Sequence, residues 1–554
     1  MFVRVKSTPK SPRKTVQIVE SVRDGDKVKQ RIVRYVGVAA DDFELEKLKD
    51  LAEHIKARIE HEKTPFLFPP EEMAEMAIAS RKQAEKDKEA IHVNLKELKE
   101  EQRSIIGIHE IYGQVYQELG FDSVLPNRRN KRPAQLLKHI VMARIANPSS
   151  KRRAVMNLER DFGISLNLHH VYRMMDKIND EAVERLQKSS FQTTQDLLGG
   201  KVDVIFVDAT TLYFESFHED DFKKNGYSKD LKFNQPQVLF ALMVTKEGLP
   251  LGYEAFPGST YEGNVLLPLL ERVKKRFAID KVIFVADSGL LNNNNLTLLE
   301  RAGYEYIIGA RLRNLSKQMQ QKILNRKSYT TSDESTQFLE LEHIKNRRLV
   351  VSYCPKRAKK DAHDREKAMN TLLSKLKTTH NPKQFISNHR YKKFIQIEGE
   401  FEISLNEETL CQETLWDGLH GIVTNSSDSS PRDLIAQYKG LWQVEESFRI
   451  TKHDLKVRPI FHWIPTRIKA HIAIAFMSFS CVRYLEHRVR HQYKKLSPEK
   501  IRDALNRVQI SVLKDPQGNR YIVLSSASQE ARKIYQVMGQ KYSTVPYRLL
   551  KKSL

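Results

Sequence analysis

A chain of 554 residues is longer than one hydrophobic core serves, so two to four structural units are expected. Its 93 Lys and Arg against 69 Asp and Glu leave a formal charge of +24, which points to a polyanionic partner such as nucleic acid and is silent about fold. A membrane span is disfavoured, because the longest apolar stretch, His471 to Tyr484, is interrupted by Ser478, Ser480 and Arg483 and falls short of the ~18 residues a crossing needs. The segment Met1 to Lys14 has no apolar signal-peptide core. Three cysteines, Cys354, Cys411 and Cys481, are too scattered for a zinc knuckle and too few for a disulfide framework. A reduced, cytoplasmic, nucleoid-associated protein is therefore expected. No Walker-type glycine loop is present, which removes nucleotide-driven chemistry.

In chain order, the first 37 residues alternate in strand fashion on both sides of Asp24-Gly25-Asp26, a hairpin signal. Ten Lys or Arg against three acids lie between Arg4 and Arg34, so the hairpin is either a DNA-backbone contact or a solvated polar face. Helical spacing of Leu45, Leu48, Leu51, Ala52, Ile55 and Ile59 predicts a helix from Phe43 to Glu60. Residues 1–62 thus form a hairpin plus helix. A proline-broken linker and a charged helix from Glu71 to Ala90 occupy 63–104.

Residues 105–200 read as wholly helical, with basic clusters Arg128-Arg129, Lys131-Arg132 and Lys151-Arg152-Arg153, a DNA-binding or dimerisation region. Within it, Asp161 to Ile178 fits either a helix-turn-helix or a plain helical hairpin, with Val171, Met174 and Met175 inward.

At Lys201 the period changes to that of strands. Two apolar runs each end on an aspartate: Val202 to Asp208 and Val282 to Asp287. Between and after them the chain predicts strands at Gln237–Thr245, Leu249–Phe256 and Glu305–Ile308, and helices at Asn264–Phe277 and Asn293–Arg301. Three strands, helix, strand, helix, strand, with acids on the first and fourth strands, resembles the ribonuclease H-like fold. The expected class is α/β, a ribonuclease H-like core (201–310 and 426–469) with a β-rich insertion (311–425), preceded by a helical N-terminal DNA-binding region. Residues 470–554 are expected to be helical and basic.

The closing helix, Pro431 to Asp454, carries Leu434, Leu441, Val444 and Phe448 as its apolar stripe at about 100° per residue, with Tyr438, Glu445 and Lys452 along one edge. Glu446 faces roughly opposite and is expected to be a surface charge. A carboxylate at the end of a buried strand lies where open α/β sheets bind ligands. Asp208, Asp287 and Glu445 are therefore the expected catalytic residues and metal ligands. Hard oxygen donors favour Mg²⁺, with Mn²⁺ as a substitute, and two ions roughly 3.5–4 Å apart suit phosphodiester cleavage. An aspartate after a strand is also a common cap or turn residue, and Asp203 and Glu215 are the nearby decoys. Alignment with Glu445 favours phosphate contact for Tyr438 and Lys452. Trp442 either packs or stacks on unpaired bases. His453, His462 and His471 lack the i, i+4 pairing of a metalloprotease helix.

Tyr438, Glu445 and Lys452 fall at the spacing of the Tyr-x2-Arg-x3-Glu-x6-Lys signature, and the chain resembles insertion-sequence transposases of the Asp-Asp-Glu (DDE) type. The resemblance extends to the N-terminal hairpin, Arg144 to Asp176, Gly226 to Asp230, and Arg458-Pro459 with His462. The signature arginine is Leu441 here, so its phosphate contact cannot be carried over; Lys439 or Arg449 would have to substitute, and Arg458 joins the expected DNA contacts. The resemblance implies cleavage of DNA at terminal inverted repeats, strand transfer to target DNA, Mg²⁺ and a homodimer on the DNA ends. Some relatives pass through a hairpin and flip a base onto an aromatic side chain, which the resemblance does not place in this insertion. The alternatives are a catalytically inactive DNA-binding regulator derived from a mobile element, or a structure-specific nuclease on the same fold.

Overall fold

In the computed structural model the chain divides into two compact units: residues 1–106, 507–532 and 540–554 form one, and 107–506 with 533–539 the other. The structure describes the chain apart from residues 8–12, 25–26, 64–69, 87–92, 126–130, 201, 216, 228–233, 262–264, 266–267, 270, 273–282, 288–292, 334–335, 345–346, 379–394, 399–401, 406, 494–495 and 550–554. The expected linker, most of the helix over Asn264–Phe277 and Ser228 to Asp230 lie outside the described residues.

The first unit is β-rich, which corrects the expectation of a helical N-terminal region. Strand β1 (Phe2–Ser7) precedes the expected hairpin, β2 (Lys14–Asp24) and β3 (Lys27–Ala39), in an antiparallel sheet. Helix α1 (Asp42–Lys63) packs Leu45, Leu48, Ala52 and Ile55 against Val16 and Ile18. Gly37 lets it approach, since a Cβ there would stand 3.0 Å from Leu48 Cδ2. Helix α2 (Pro70–Lys86) is tied to α1 by Arg81, which bonds Glu46 (2.9 Å) and Asp50 (2.5 Å).

Strand β4 (Lys99–Ile105) pairs with Gln509–Lys514, which continues to Arg520–Leu524 and Tyr547–Leu549 in a four-stranded antiparallel sheet. The C-terminal region is thus not wholly helical. Its strands are short and join a partner about 400 positions away, so no local period announces them.

The second unit begins with helices, as expected, including α3 (Arg132–Ala146), α4 (Lys151–Phe162), α5 (Leu168–Met175) and α6 (Asp180–Leu197). Val171, Met174 and Met175 are buried on α5. A nine-stranded mixed sheet follows. Strands β5 (Val204–Tyr213), β6 (Gln237–Thr245), β7 (Pro250–Pro257), β8 (Ile283–Ala286) and β9 (Glu305–Gly309) lie in the order β9-β8-β5-β6-β7. β5 is parallel to β8 and β8 to β9, whereas β6 is antiparallel to both neighbours, the ribonuclease H-like arrangement.

The insertion is not a separate module. Strands β10 (Thr330–Asp333), β11 (Thr336–His343) and β12 (Arg347–Tyr353) extend the same sheet. A hairpin, β13 (Ile395–Glu398) and β14 (Glu402–Leu405), stands apart from that sheet, and β15 (Leu419–Thr424) joins β12 to β9. Arg347, 1% exposed, fixes the join from β12: its guanidinium donates to Glu300 (2.7 Å), Asn293 (3.0 Å) and Thr297 (3.2 Å) of helix α7 (Asn293–Arg301). A long helix α8 (Pro355–Thr378) follows β12.

The expected closing helix is three segments: α9 (Pro431–Lys439), α10 (Trp442–Arg449) and a π-turn at Ile450–Asp454. Between α9 and α10 the backbone tightens to i→i+3 bonds, Gly440 N to Gln437 O (2.9 Å) and Leu441 N to Tyr438 O (3.0 Å). At this break Gly440 lies against the Phe206 ring of β5, where an added Cβ would stand 2.6 Å from Phe206 Cζ.

Helix α11 (Pro465–Gln492) is long and apolar enough to cross a membrane by length and composition, contrary to the sequence count, but nearly all of that stretch is buried inside the protein. The inward side chains include a buried ion pair, Arg483 with Glu486 (2.5 Å), and Arg483 Nε also donates to the Gly248 carbonyl (2.9 Å).

Candidate active site on the acidic face of the sheet

Alternation along β5 decides which groups share a face. Ile205, Val207 and Ala209 belong to the core that holds Leu296 and Leu299 of α7. Phe206, Asp208 and Thr210 therefore face the other way, where Gly440 seats on Phe206 and Phe448 of α10 meets Phe240 of β6 (ring centroids 6.1 Å). On β8, Phe284 and Ala286 join the first core, so Val285 and Asp287 share the face of Asp208.

The register brings the aspartates together. Val207 pairs with Ala286 in parallel, and the next residue on each chain is Asp208 and Asp287. Adjacent strands run about 4.8 Å apart, so the two carboxylates stand side by side. β5 does not end on Asp208, as its apolar run implied, but continues five residues to Tyr213. β8 does stop, at Ala286, so Asp208 lies where β5 loses its parallel neighbour. Beyond that point the chain after α10 takes the vacated edge, with Ile460 N donating to Tyr213 O (3.0 Å) and Phe214 bridging Ile460. Asp208 is half-buried, and its Oδ1 accepts from the Ala209 amide (2.7 Å).

Tyr438 links this pair to the glutamate. Its ring is buried, its hydroxyl bonds Asp287, and burial together with the carboxylates of Asp287 and Glu445 pushes its pKa up. Glu445 is exposed on α10. Glu446 is not a free surface charge: its side chain is 18% exposed and pairs with Arg449 (3.6 Å) and Arg490 (3.8 Å) beside the Arg483–Glu486 pair. Among the described residues no three or more His, Cys, Asp or Glu side chains converge tightly enough to enclose one ion. What the fold assembles is the pair Asp208 and Asp287, and Asp287 with Glu445 across one tyrosine. Oxygen donors taken one or two per ion are the set a hard divalent cation uses, so these residues fit such a metal.

The other expected contacts separate. Lys452 is half-buried in the π-turn, its Nζ 5.7 Å from the Phe448 ring centroid. Lys439 is exposed and acts electrostatically on His420 and Cys354. Arg449 is committed to Glu446 and Asp454 (3.6 Å each). Trp442 is half exposed, and Leu441 is buried. Arg458 lies over the Tyr213 ring (5.6 Å), and burial lowers its pKa. All three cysteines are free.

One residue of this face was missed. His420 of β15 packs its ring at a tilt against Tyr438 (centroids 4.9 Å, planes 43° apart), and its pKa is pushed down to about 4, chiefly by burial and then by Arg357 and Lys439, against the pull of Asp287. Its strand sits at the end of the insertion, where no alternation singled it out. A cleft of ≈ 640 Å³ opens beside it, lined by Arg311, Arg313, Arg357, Arg365 and Trp416.

Residues 199–481, just over half the chain, match the family described as "Transposase DDE domain", and residues 2–65 match "IS1634 family transposase, N-terminal domain". The chain belongs to the DDE transposases of insertion sequences. It is a DNA-cleaving transposase, from a family that uses a divalent metal. Among curated proteins no relative matches it. Among solved structures it is similar to a piggyBac transposase synaptic complex with hairpin DNA (9% identity, 73% of this chain, 79% of that one, TM-score 0.36). It is also similar to Mos1 transposase in a paired-end complex with the left transposon end (13% identity, 45% and 70%, TM-score 0.14) and in a mariner paired-end complex with Mn (12%, 48% and 78%, TM-score 0.14).

Proposed function

We propose that Asp208, Asp287 and Glu445 hold two Mg²⁺ ions and that the chain cuts DNA at the inverted-repeat ends of its element and joins the freed 3′ ends to target DNA. The observation that carries this is the parallel register that sets Asp208 beside Asp287 on the face where Tyr438 bonds Asp287 and feels the charge of Glu445. When bound, the metal supplies a Lewis acid for the scissile phosphodiester and lowers the pKa of the attacking water. The chain's own groups hold the geometry. Tyr438 stays protonated and donates to Asp287, which fixes that carboxylate's orientation. Gly440 lets α10 sit flush on Phe206, which sets how far Glu445 lies from the aspartates. Lys452 and Arg458 supply positive charge to phosphates on either side, and no side-chain general base is required. Two copies on paired ends are the assembly this chemistry needs, because both ends must reach one target.

The test is to incubate the purified protein with Mg²⁺, labelled DNA bearing the element's terminal repeats and a plasmid target. Strand joining by the wild type and its loss in Asp208→Asn support the proposal. Joining that persists in Asp208→Asn removes this residue from the chemistry.

A further inference from the structure

Away from the acidic face, a pocket of ≈ 200 Å³ lies between the start of α4, the chain after α10 and helix α11. It gathers basic side chains. Arg144, Lys151 and His471 line it at 3%, 4% and 5% exposure, together with Arg458 and His462, and among the described residues no Asp or Glu lines it. Arg144 Nη1 donates to the carbonyls of Leu455 (2.9 Å) and Lys456 (3.3 Å), which leaves its buried Nε without an acceptor. Ser149 Oγ is buried without a partner. His471 Nε2 meets the Val457 carbonyl (2.9 Å), and its buried Nδ1 is also unpartnered. Lys151 makes no hydrogen bond or ion pair with any described residue.

Burying two cations side by side without a counter-ion costs several kcal/mol each. Lys151 and His471 are driven well below their ordinary pKa values, and His462 down to about 3, by burial and by the neighbouring cations. The pocket also receives the first turn of α4, a twelve-residue helix whose cap Ser150 satisfies only the Arg153 amide (3.3 Å). Helix N-termini direct unsatisfied N–H groups at anions. A compact oxyanion with several acceptor oxygens meets all of these demands at once.

We infer that this pocket is a phosphate-binding site, separate from the metal-binding carboxylates, that grips a phosphate of a DNA strand. The anion site stands on the buried basic side chains and the donors left without acceptors around them; only the DNA source of the phosphate rests on the transposase function. Arg458 touches Tyr213, five residues beyond Asp208 on β5. At about 3.3 Å per residue Tyr213, beside the pocket's Arg458, lies roughly 17 Å along β5 from Asp208. At ~3.4 Å of rise per nucleotide the pocket would hold a phosphate about five nucleotides from the scissile bond.

The experiment uses the full chain in chelator, without divalent metal or target DNA. Melting temperature is compared in sodium phosphate and in sodium chloride at equal ionic strength, for the wild type and Lys151→Met. Phosphate is expected to raise the wild-type value above chloride, and Lys151→Met to lose that increment while folding normally, since it replaces a buried amine, without a counter-ion among the described residues, by an apolar side chain of similar length. Equal wild-type melting in the two salts overturns the proposal without any variant, as does an undiminished increment in Lys151→Met. Binding of a labelled twelve-nucleotide single strand then separates the sources. A loss of about tenfold in Lys151→Met, equivalent to one charged contact, against little change in the exposed control Lys188→Met, assigns the phosphate to DNA. Loss of the phosphate increment with unchanged strand binding upholds the pocket with free phosphate as its occupant.

Discussion

Replacing Gly440 by alanine tests whether the seating of one helix on one ring sets the active-site geometry. Gly440 has ordinary right-handed dihedrals (φ −64°, ψ −11°), so backbone strain does not require glycine there. By helix propensity alone, alanine should stabilise by up to about 1 kcal/mol. The added Cβ, however, would stand 2.6 Å from Phe206 Cζ and 2.9 Å from the Gln437 carbonyl oxygen. Carbon contacts settle near ~3.5–4.0 Å, so the helix must lift by about 1 Å, because Phe206 is 1% exposed and cannot swing away. Overpacking of this kind costs about 1–3 kcal/mol, which outweighs the propensity gain, and a misplacement of about 1 Å can slow catalysis on the order of 100-fold. Gly440→Ala should therefore melt lower than wild type and cleave labelled terminal-repeat DNA in Mg²⁺ about two orders of magnitude more slowly, with DNA binding retained. Adding Phe206→Leu, which shortens the ring side chain, should return part of the rate. Wild-type cleavage by Gly440→Ala would show that Gly440 does not set the position of Glu445.

Other outcomes follow from particular contacts. Asp287→Asn and Glu445→Gln should abolish cleavage while retaining gel-shift affinity for repeat DNA, whereas Glu446→Gln should stay within a few-fold of wild type; equal losses in Glu445→Gln and Glu446→Gln would undo the assignment of Glu445. Glu486→Ala leaves Arg483 buried without its partner and should cost roughly 3–5 kcal/mol in urea unfolding, with the double variant Arg483→Met/Glu486→Leu less destabilised than the single one. Leu441→Arg, which restores the residue type of the related signature, should lower stability and give no faster cleavage, because position 441 is buried; faster cleavage would mean that the arginine can reach DNA.

pH dependence supplies one more test. Burial, with His139 and Lys138 adding to it, holds His109 down at about 3, so its folded pKa lies below its unfolded value near 6.5. A group depressed in this way contributes stability above about pH 6.5 that is lost as pH falls towards 3, at most about 5 kcal/mol. His109→Phe, which keeps an aromatic ring against Phe162, should flatten the fall in unfolding free energy across that window. An unchanged slope would place the acid sensitivity elsewhere.

Much of the catalytic core was legible from local pattern. The apolar runs before Asp208 and Asp287, the successive strands β6 (Gln237–Thr245) and β7 (Pro250–Pro257) and the helix at Asn293–Arg301 are set by alternation, turn residues and period, all carried within a few neighbours. The apolar stripe Leu434, Leu441, Val444 and Phe448 is buried as its spacing implied. Long-range pairing was not legible. Leu419–Thr424 is a six-residue strand whose place is fixed by β12 and β9, and only that placement brings His420 to Tyr438. The close approach at Gly440 is to the Phe206 ring, more than 200 residues earlier.

By itself the sequence determined the positive charge, the order of strands and helices through the core sheet, and which acidic residues follow apolar runs, because composition and hydrophobic period act over a few residues. Only the tertiary structure decided that Asp208 and Asp287 are neighbours in register, that the insertion completes the sheet, that Glu446 is held by arginines, and that Arg144, Lys151 and His471 share one pocket lined by no carboxylate among the described residues. Those outcomes depend on which distant surfaces pack together, and the free energy that selects them is the burial and pairing of groups that no local window contains.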